Sequence, residues 1–381
     1  MTKKKRGKNI IIALGIFVLL LVSALAILAI YTLNYDYLNF NFMENKGAKL
    51  GFVEHSYTLA DGSVLNYAEG PDNGPPLFLI HGQQVDWQTY AKVYPQLSQH
   101  FHIFAVDCYG HGKSTKDPAL YTAKRLVTDF ALLIEDKINE PVIVSGHSSG
   151  ALLTALLAAE SSELVSGIIL EDGPFFSTEP ERAPETFAGL DFEVIHNFLN
   201  QTDETNYTRY SLQHNYMKNL FNADGNDNWN NIVVKPALNY MDKHGEVIPI
   251  IWYYPPKLGI NSIYALTANL QDGTSNYDLR FGETFYNYSW FEDFDQATTL
   301  SQIKCPAFVM HVAPDKETGS YYDDNGILLA AMDDKDADRV TELIPNATLY
   351  SGFESMHDIH GDQPDEFVQV LLDMKNLLEE D

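Results

Sequence analysis

The chain has 381 residues, enough for one large domain or two modest ones. A composition of 45% hydrophobic and 20% charged residues excludes wholesale disorder, and a net charge of −27 excludes nucleic-acid binding through phosphate contacts. Only two cysteines are present, Cys108 and Cys305, both in or beside apolar strand-like runs. They read as reduced core thiols, with no disulfide framework and no CxxC metal site.

Lys3, Lys4, Lys5, Arg6 and Lys8 precede an uncharged run from Ile10 to Tyr31. As a helix this run would be about 33 Å long, enough to cross a hydrocarbon core of about 30 Å. Ala24-Leu25-Ala26 offers a small-x-small cleavage site, but Ile27-Leu28-Ala29-Ile30 continues apolar beyond it. The expectation is an uncleaved signal anchor, with secretion after signal-peptide cleavage as the alternative. The basic flank stays inside, which makes the chain a single-pass cell-membrane protein with its main domain extracytoplasmic. The expected division is a cytoplasmic flank at 1–9, a transmembrane anchor at 10–31 and a juxtamembrane spacer at 32–50. The main domain follows at 51–381, with an insertion at about 175–300. That acidic domain should be repelled by anionic lipid, apart from its anchor.

Val53 to Leu59 and Val64 to Tyr67 flank Asp61-Gly62, a hairpin signal. Pro76 to Ile80 is a short continuous apolar run, as expected of a parallel strand buried on both faces. Similar runs occur at Phe101 to Val106, Val142 to Val144, Gly167 to Leu170, Ala307 to Val312 and Ala347 to Tyr350. Helical patterns separate most of them, at Trp87 to Leu97, Ala123 to Ile138, Ala151 to Ala159, Gly326 to Ile344 and Pro364 to Leu378. This alternation predicts an α/β fold, a mostly parallel sheet with helices on both faces and ligand sites beyond the carboxyl ends of the strands.

The alternation lapses between about Phe175 and Ser301, a segment rich in Tyr, Trp, Asn and Asp. Weak helical patterns occur there at Glu193 to Leu199 and Leu212 to Phe221. The segment leaves one strand end and returns at another, as an inserted cap over a site would. Trp229, Trp252, Tyr253, Tyr254, Tyr288 and Trp290 are expected either to line a pocket or to form the cap's own core. Asp224-Gly225-Asn226-Asp227-Asn228 resembles part of a calcium loop but lacks the terminal Glu, so it reads as a solvated turn.

Gly146-His147-Ser148-Ser149-Gly150 sits where the strand Val142 to Val144 hands over to the helix beginning near Ala151. A serine on such a turn has an exposed hydroxyl, and the helix N-terminus offers free N–H groups to a developing oxyanion. Its hydroxyl needs a base, and the base needs an orienting carboxylate. His357, after the last strand, is the expected base, with His360 as the fallback. Asp315, after the strand Ala307 to Val312, is the expected acid; Asp172 is the alternative, and Asp323 and Asp324 are weaker ones. The oxyanion hole is expected from the N–H groups of Ser149 and of Gln83, the latter within His81-Gly82-Gln83 after an earlier strand.

These residues together resemble the α/β-hydrolase superfamily over about residues 52–378. Asp107 to Ser114 is similar to that superfamily's D-x-x-G-H-G-x-S loop, and His357 stands seven residues before Pro364, at the superfamily's spacing before its last helix. The chain departs from the pattern at Ala151, His311-Val312 and Met356, each where glycine is frequent at one position. The resemblance implies a Ser148–His357–Asp315 hydrolase acting through an acyl-enzyme, with no metal or organic cofactor. A serine nucleophile argues against the aspartate-dependent epoxide hydrolases and dehalogenases. A small-molecule carboxylic ester is the expected substrate, a lipid-derived one suiting an anchored domain. An amidase or carbon–carbon bond hydrolase, or a non-catalytic binding module, are the alternatives.

Overall fold

The computed structural model describes residues 3–270 and 276–380. Met1 and Thr2 of the basic flank and residues 271–275 of the insertion lie outside the described residues. Eight strands form one sheet: β1 (Val53–Thr58), β2 (Val64–Glu69), β3 (Pro76–Ile80), β4 (His102–Val106), β5 (Val142–His147), β6 (Val165–Glu171), β7 (Ala307–Val312) and β8 (Ala347–Phe353). Their order is β1-β2-β4-β3-β5-β6-β7-β8. The β1–β2 hairpin turns at Gly62, whose φ of 90° favours a residue without Cβ. β2 runs antiparallel to β4, and every later pairing is parallel.

The unbroken apolar runs of the central strands follow from burial on both faces. In β3, Phe78 and Ile80 join one core and Leu77 and Leu79 the other, as the two-residue period of a strand requires. The helices Ala123–Leu133 and Ser149–Glu160 cover the first face through Leu126, Phe130, Leu152 and Leu156. The short helical turns between Trp87 and Leu97 and the helix Pro364–Glu380 cover the second, through Tyr90, Tyr94, Phe367 and Leu371. The fold is thus the α/β-hydrolase arrangement with a mostly parallel central sheet.

Two further helical expectations change, besides the Trp87 to Leu97 pattern that forms only short turns. The pattern from Gly326 to Ile344 forms a helix only from Asp334 to Leu343. Asp333 and Asp336 start it with a reciprocal capping box, and Gly326 is in a left-handed turn. The pattern from Leu212 to Phe221 breaks into Tyr207–His214 and Met217–Phe221, because Asn215 is extended and its Oδ1 accepts from Met217 N.

Between β6 and β7 lie seven further α-helices among the described residues, from Phe187–Asn200 to Gln296–Gln302. Part of this insertion has its own core, built on Leu212, Trp229, Val233, Ile260 and Tyr264. Its later part, with Phe281, Phe285 and Trp290, packs into the main core. Trp229 and Trp290 are therefore buried, whereas Trp252 and Tyr253 face solvent. Asp224 accepts from Asn226 and Asn228 in an exposed turn.

The helix Lys3–Leu33 precedes all of this. Its segment Ile11–Leu33 includes an 18-residue stretch of mean hydropathy 3.1, is long enough to span a bilayer, and packs against nothing over that stretch.

The Asp107 to Ser114 loop is a structural tie. Asp107, 1% exposed, accepts from Asn66 Nδ2 (2.8 Å), Trp87 N (3.0 Å) and Lys113 N (3.0 Å). A Cβ on Gly112 would come within 2.1 Å of its carboxylate, so glycine is required there. Asp107→Ala strands two buried donors, Asn66 Nδ2 and Trp87 N, and frees a third at Lys113, and should lower unfolding free energy by about 3–5 kcal/mol. Urea denaturation followed by tryptophan emission measures this.

Candidate active site

β5 delivers Ser148 to a sharp turn, with φ 55° and ψ −124°, a backbone region costing a non-glycine residue about 1–3 kcal/mol. The neighbouring glycines show why the strain is held. A Cβ on Gly146 would lie 2.1 Å from Gly150 O, and one on Gly150 would lie 2.3 Å from Ile80 O. The turn is wedged between β3 and its own helix, leaving Ser148 half-buried, with its N–H on Glu171 O at 2.9 Å. Ser149 opens the helix, where the first N–H groups have no intrahelical acceptor.

The loop after β3 approaches the same turn. A Cβ on Gly82 would stand 3.0 Å from Ser148 Cβ and 2.9 Å from His147 Nδ1. His81 Nε2 accepts from Cys108 N at 3.0 Å, which leaves Nδ1 protonated to donate to Gly82 O at 2.6 Å. Because a trans peptide points its C=O and N–H in opposite directions, this bond also orients the Gln83 N–H. Among the described residues no hydrogen-bond acceptor takes that N–H. The Gln83 side chain is itself held by the insertion, its Oε1 accepting from Tyr277 OH at 2.7 Å.

The histidine expected as base lies in the loop after β8 and is half-buried. Its ring stands 4.5 Å from that of His147, the residue before Ser148. His357 Nδ1 is 2.7 Å from Asp172 Oδ2, and Asp172 is fully buried at the end of β6 with φ 41°. The expectation for Asp315 is corrected: it is exposed, and its Oδ1 accepts from Glu317 N, Thr318 N and Thr318 Oγ1 within its own loop. The end of β7 instead supplies His311, whose Nδ1 is 3.7 Å from Asp172 Oδ1 and whose Nε2 is 3.1 Å from Asp334 Oδ1. Asp323 is taken up by Tyr216 OH and by the N–H groups of Asn325 and Ile327, and Asp324 is exposed. His360, the fallback base, is buried with Nδ1 2.8 Å from Glu171 Oε1 and Nε2 near Thr89 Oγ1.

Burial alone would raise the Asp172 carboxyl and lower both histidines. The ion pairs reverse each effect. Asp172 is held below the ordinary carboxylate range by His311 and His357. His311 is raised by Asp172 and Asp334. His357 is pushed up to about 9, burial being outweighed by Asp172 and then by Asp358 and Glu171. Two trios, His147–His357–Asp358 and His147–Glu171–His360, bring metal-ligating atoms within 4.8 Å of one another. Their members are already engaged in ion pairs: His357 with Asp172, His360 with Glu171, and His147 with Asp358 at 3.2 Å.

Glu171, His311 and Asp334 were not singled out as site residues from the sequence. The available signal was Glu171-Asp172 itself, two carboxylates directly after a buried strand with no cation beside them in the chain. A cavity of about 130 Å³ lies under the insertion, lined by Gln84, Asp191, Tyr207, Leu212, Trp229 and Leu270 among others. Gln84 Nε2 donates to Asp191 Oδ2 at 2.8 Å, and Asn269 Nδ2 donates to Gln84 O. The cavity wall and the Gln83 loop are thus one connected structure.

Comparison with known proteins agrees with this architecture. A family model described as the alpha/beta hydrolase family matches residues 77–370. The chain is 30% identical over 131 residues to the (E)-2-((N-methylformamido)methylene)succinate hydrolase of Acinetobacter baylyi, covering 34% of this chain and 49% of that protein. It is 27% identical over 120 residues to the soluble epoxide hydrolase of a Corynebacterium species, covering 32% and 42%. The chain therefore spans less than half the length of these curated relatives. Among solved structures, a bacterial membrane phospholipase A superposes with a TM-score of 0.58 at 17% identity, over 100% of both chains. That likeness is one of fold. With the family model covering most of the chain, and with this sheet order around a serine turn, the chain belongs to the alpha/beta hydrolase family.

Proposed function

We propose that this protein is a membrane-anchored serine hydrolase that cleaves carboxylic esters, with Ser148 as nucleophile, His357 as base and Asp172 as the orienting acid. The observation that carries this reading is the His357–Asp172 pair, formed from two strand ends, with the His357 ring 4.5 Å from that of His147, the residue before Ser148. Asp172 accepts at Nδ1, which directs the other imidazole nitrogen, Nε2, to the work of proton transfer. Ser148 Oγ attacks the ester carbonyl carbon while His357 takes its proton. The N–H groups of Ser149 and Gln83 receive the oxyanion, each such donor being worth about 10²–10³ in rate. His357 then protonates the leaving alcohol and activates water, and hydrolysis of the acyl-enzyme returns Ser148. No step in this sequence calls on a metal or organic cofactor.

A lipid-derived ester is the substrate class favoured. The support is an apolar helix of spanning length, a cavity with largely apolar walls next to the Gln83 loop, and a fold likeness to a protein named a membrane phospholipase A. Basic residues before the helix favour an extracytoplasmic main domain. Turnover of simple esters against matched amides and β-diketones separates this reading from the amidase and carbon–carbon hydrolase readings.

A fluorophosphonate probe should give a stoichiometric adduct on Ser148, mapped by peptide mass. The adduct should be absent in Ser148→Ala and slowed by about 10²–10⁴ in His357→Ala. No adduct on folded protein would overturn the hydrolase reading. Asp172→Asn should slow labelling by a similar factor, whereas Asp315→Asn should change it less than about 2-fold; the reverse order would return the acid to Asp315.

His357 works as a base only when neutral, and its pKa is raised. The labelling rate should therefore rise with pH through an inflection near 9. Removing the Asp172 charge removes what stabilises the imidazolium, so the inflection in Asp172→Asn should move to lower pH while the plateau falls. Rate–pH profiles of the two proteins measure both effects.

A further inference from the structure

The segment from Val247 to Leu270 differs from the rest of this acidic chain. It contains no carboxylate and one cation, Lys257, in a protein with 52 acidic residues. It also exposes large apolar side chains close together in the chain: Trp252 is 42% exposed, Tyr253 48% and Leu258 56%. Trp252 and Tyr253 stack edge-on, with ring centroids 5.4 Å apart, and present themselves outward rather than lining the cavity.

One buried amide joins this segment to the end of the N-terminal helix. Asn261, 1% exposed, accepts from Ile251 N (2.8 Å), and the two hydrogens of its Nδ2 are shared among Ile251 O (3.0 Å), Tyr254 O (2.8 Å) and Tyr37 OH (3.1 Å). Tyr37 OH in turn donates to Thr32 O (3.0 Å) in the last turn of the helix. The aromatic loop is therefore pinned where the apolar helix ends, near Tyr31, Tyr35 and Tyr37, whose successive rings pack edge to face. If that helix spans a bilayer, its end lies at the headgroup level, the depth where tryptophan and tyrosine with a polar tip are most stable.

We infer that Trp252, Tyr253 and Leu258 form a second membrane contact, inserted into the headgroup region of the same bilayer that the N-terminal helix crosses. The inference rests on the anchor reading. It adds that the insertion is held against the lipid surface, not free on a tether. Lys257 suits this position, and the lack of carboxylates removes the repulsion that the rest of the domain would feel from an anionic surface.

Tryptophan emission tests it. Trp87, Trp229 and Trp290 are at most 2% exposed and the N-terminal helix has none, so Trp252 is the tryptophan open to its surroundings. The full chain is reconstituted into phosphatidylcholine vesicles, with and without bromine near the headgroup end of the acyl chains. Trp252→Phe is the blank for a difference signal. Flotation with the vesicles reports the anchor. The expected result is flotation of both proteins, at least 2-fold quenching of the difference signal by brominated lipid and little quenching by aqueous iodide. A floating chain quenched by iodide and not by bromine overturns the contact and leaves the anchor standing. Quenching by neither overturns it in favour of a second copy of the chain on this face. A chain that does not float overturns anchor and contact together.

Discussion

Two carboxylates leave the end of β6 with no exposed surface, and each is held by a histidine from the segment after β8. Glu171 takes His360 and Asp172 takes His357. A buried charge without a partner is costly, so these pairs specify where the chain after β8 must lie. They close the gap between strands that are two places apart in the sheet, and they bring a histidine to the serine turn. The third neighbour, His311 from β7, faces Asp172 from the strand between them, and Asp334 fixes its far nitrogen. Three strand ends are thereby joined through one buried aspartate.

The opposite side of the serine turn depends on close backbone approach. Gly146 and Gly150 let the turn press against β3, and Gly82 lets the loop after β3 come against Ser148. Asp107 and His81 then hold that loop, the first through the Trp87 N–H and the second through Gly82 O. The insertion completes the support, because Tyr277 and Asn269 bond Gln83 and Gln84. A ligand that shifts the insertion would shift the backbone at Gln83 with it. The insertion and the loop beside Ser148 are in this sense mechanically connected, through hydrogen bonds rather than through a hinge.

Charge divides the molecule in a similar way. An acidic chain carries a carboxylate-free aromatic segment beside the end of the apolar helix. Asn261 makes that arrangement a property of the fold, since its four contacts span Tyr37, just after the apolar helix, and the loop together.

All eight strands were legible in the sequence, because burial on both faces writes itself as short apolar runs and tight turns write themselves as glycine. The serine turn was legible for the same reason: its glycines, the strand before it and the helix after it are local. The acid was not. Asp315 and Asp172 both follow a buried strand, and nothing local distinguishes them. What separates them is which strand end the loop after β8 crosses, a long-range matter settled by the pairing of Glu171 and Asp172 with two histidines nearly 190 residues away. The exposed position of Trp252 and Tyr253 was hidden similarly, since an aromatic residue reads alike whether it fills a core or faces outward. Sequence by itself thus determined the strands, the serine turn and the apolar N-terminal helix, all products of local pattern. Only the tertiary structure decided which carboxylate meets the histidine and which aromatics stay outside, because both follow from contacts between segments far apart in the chain.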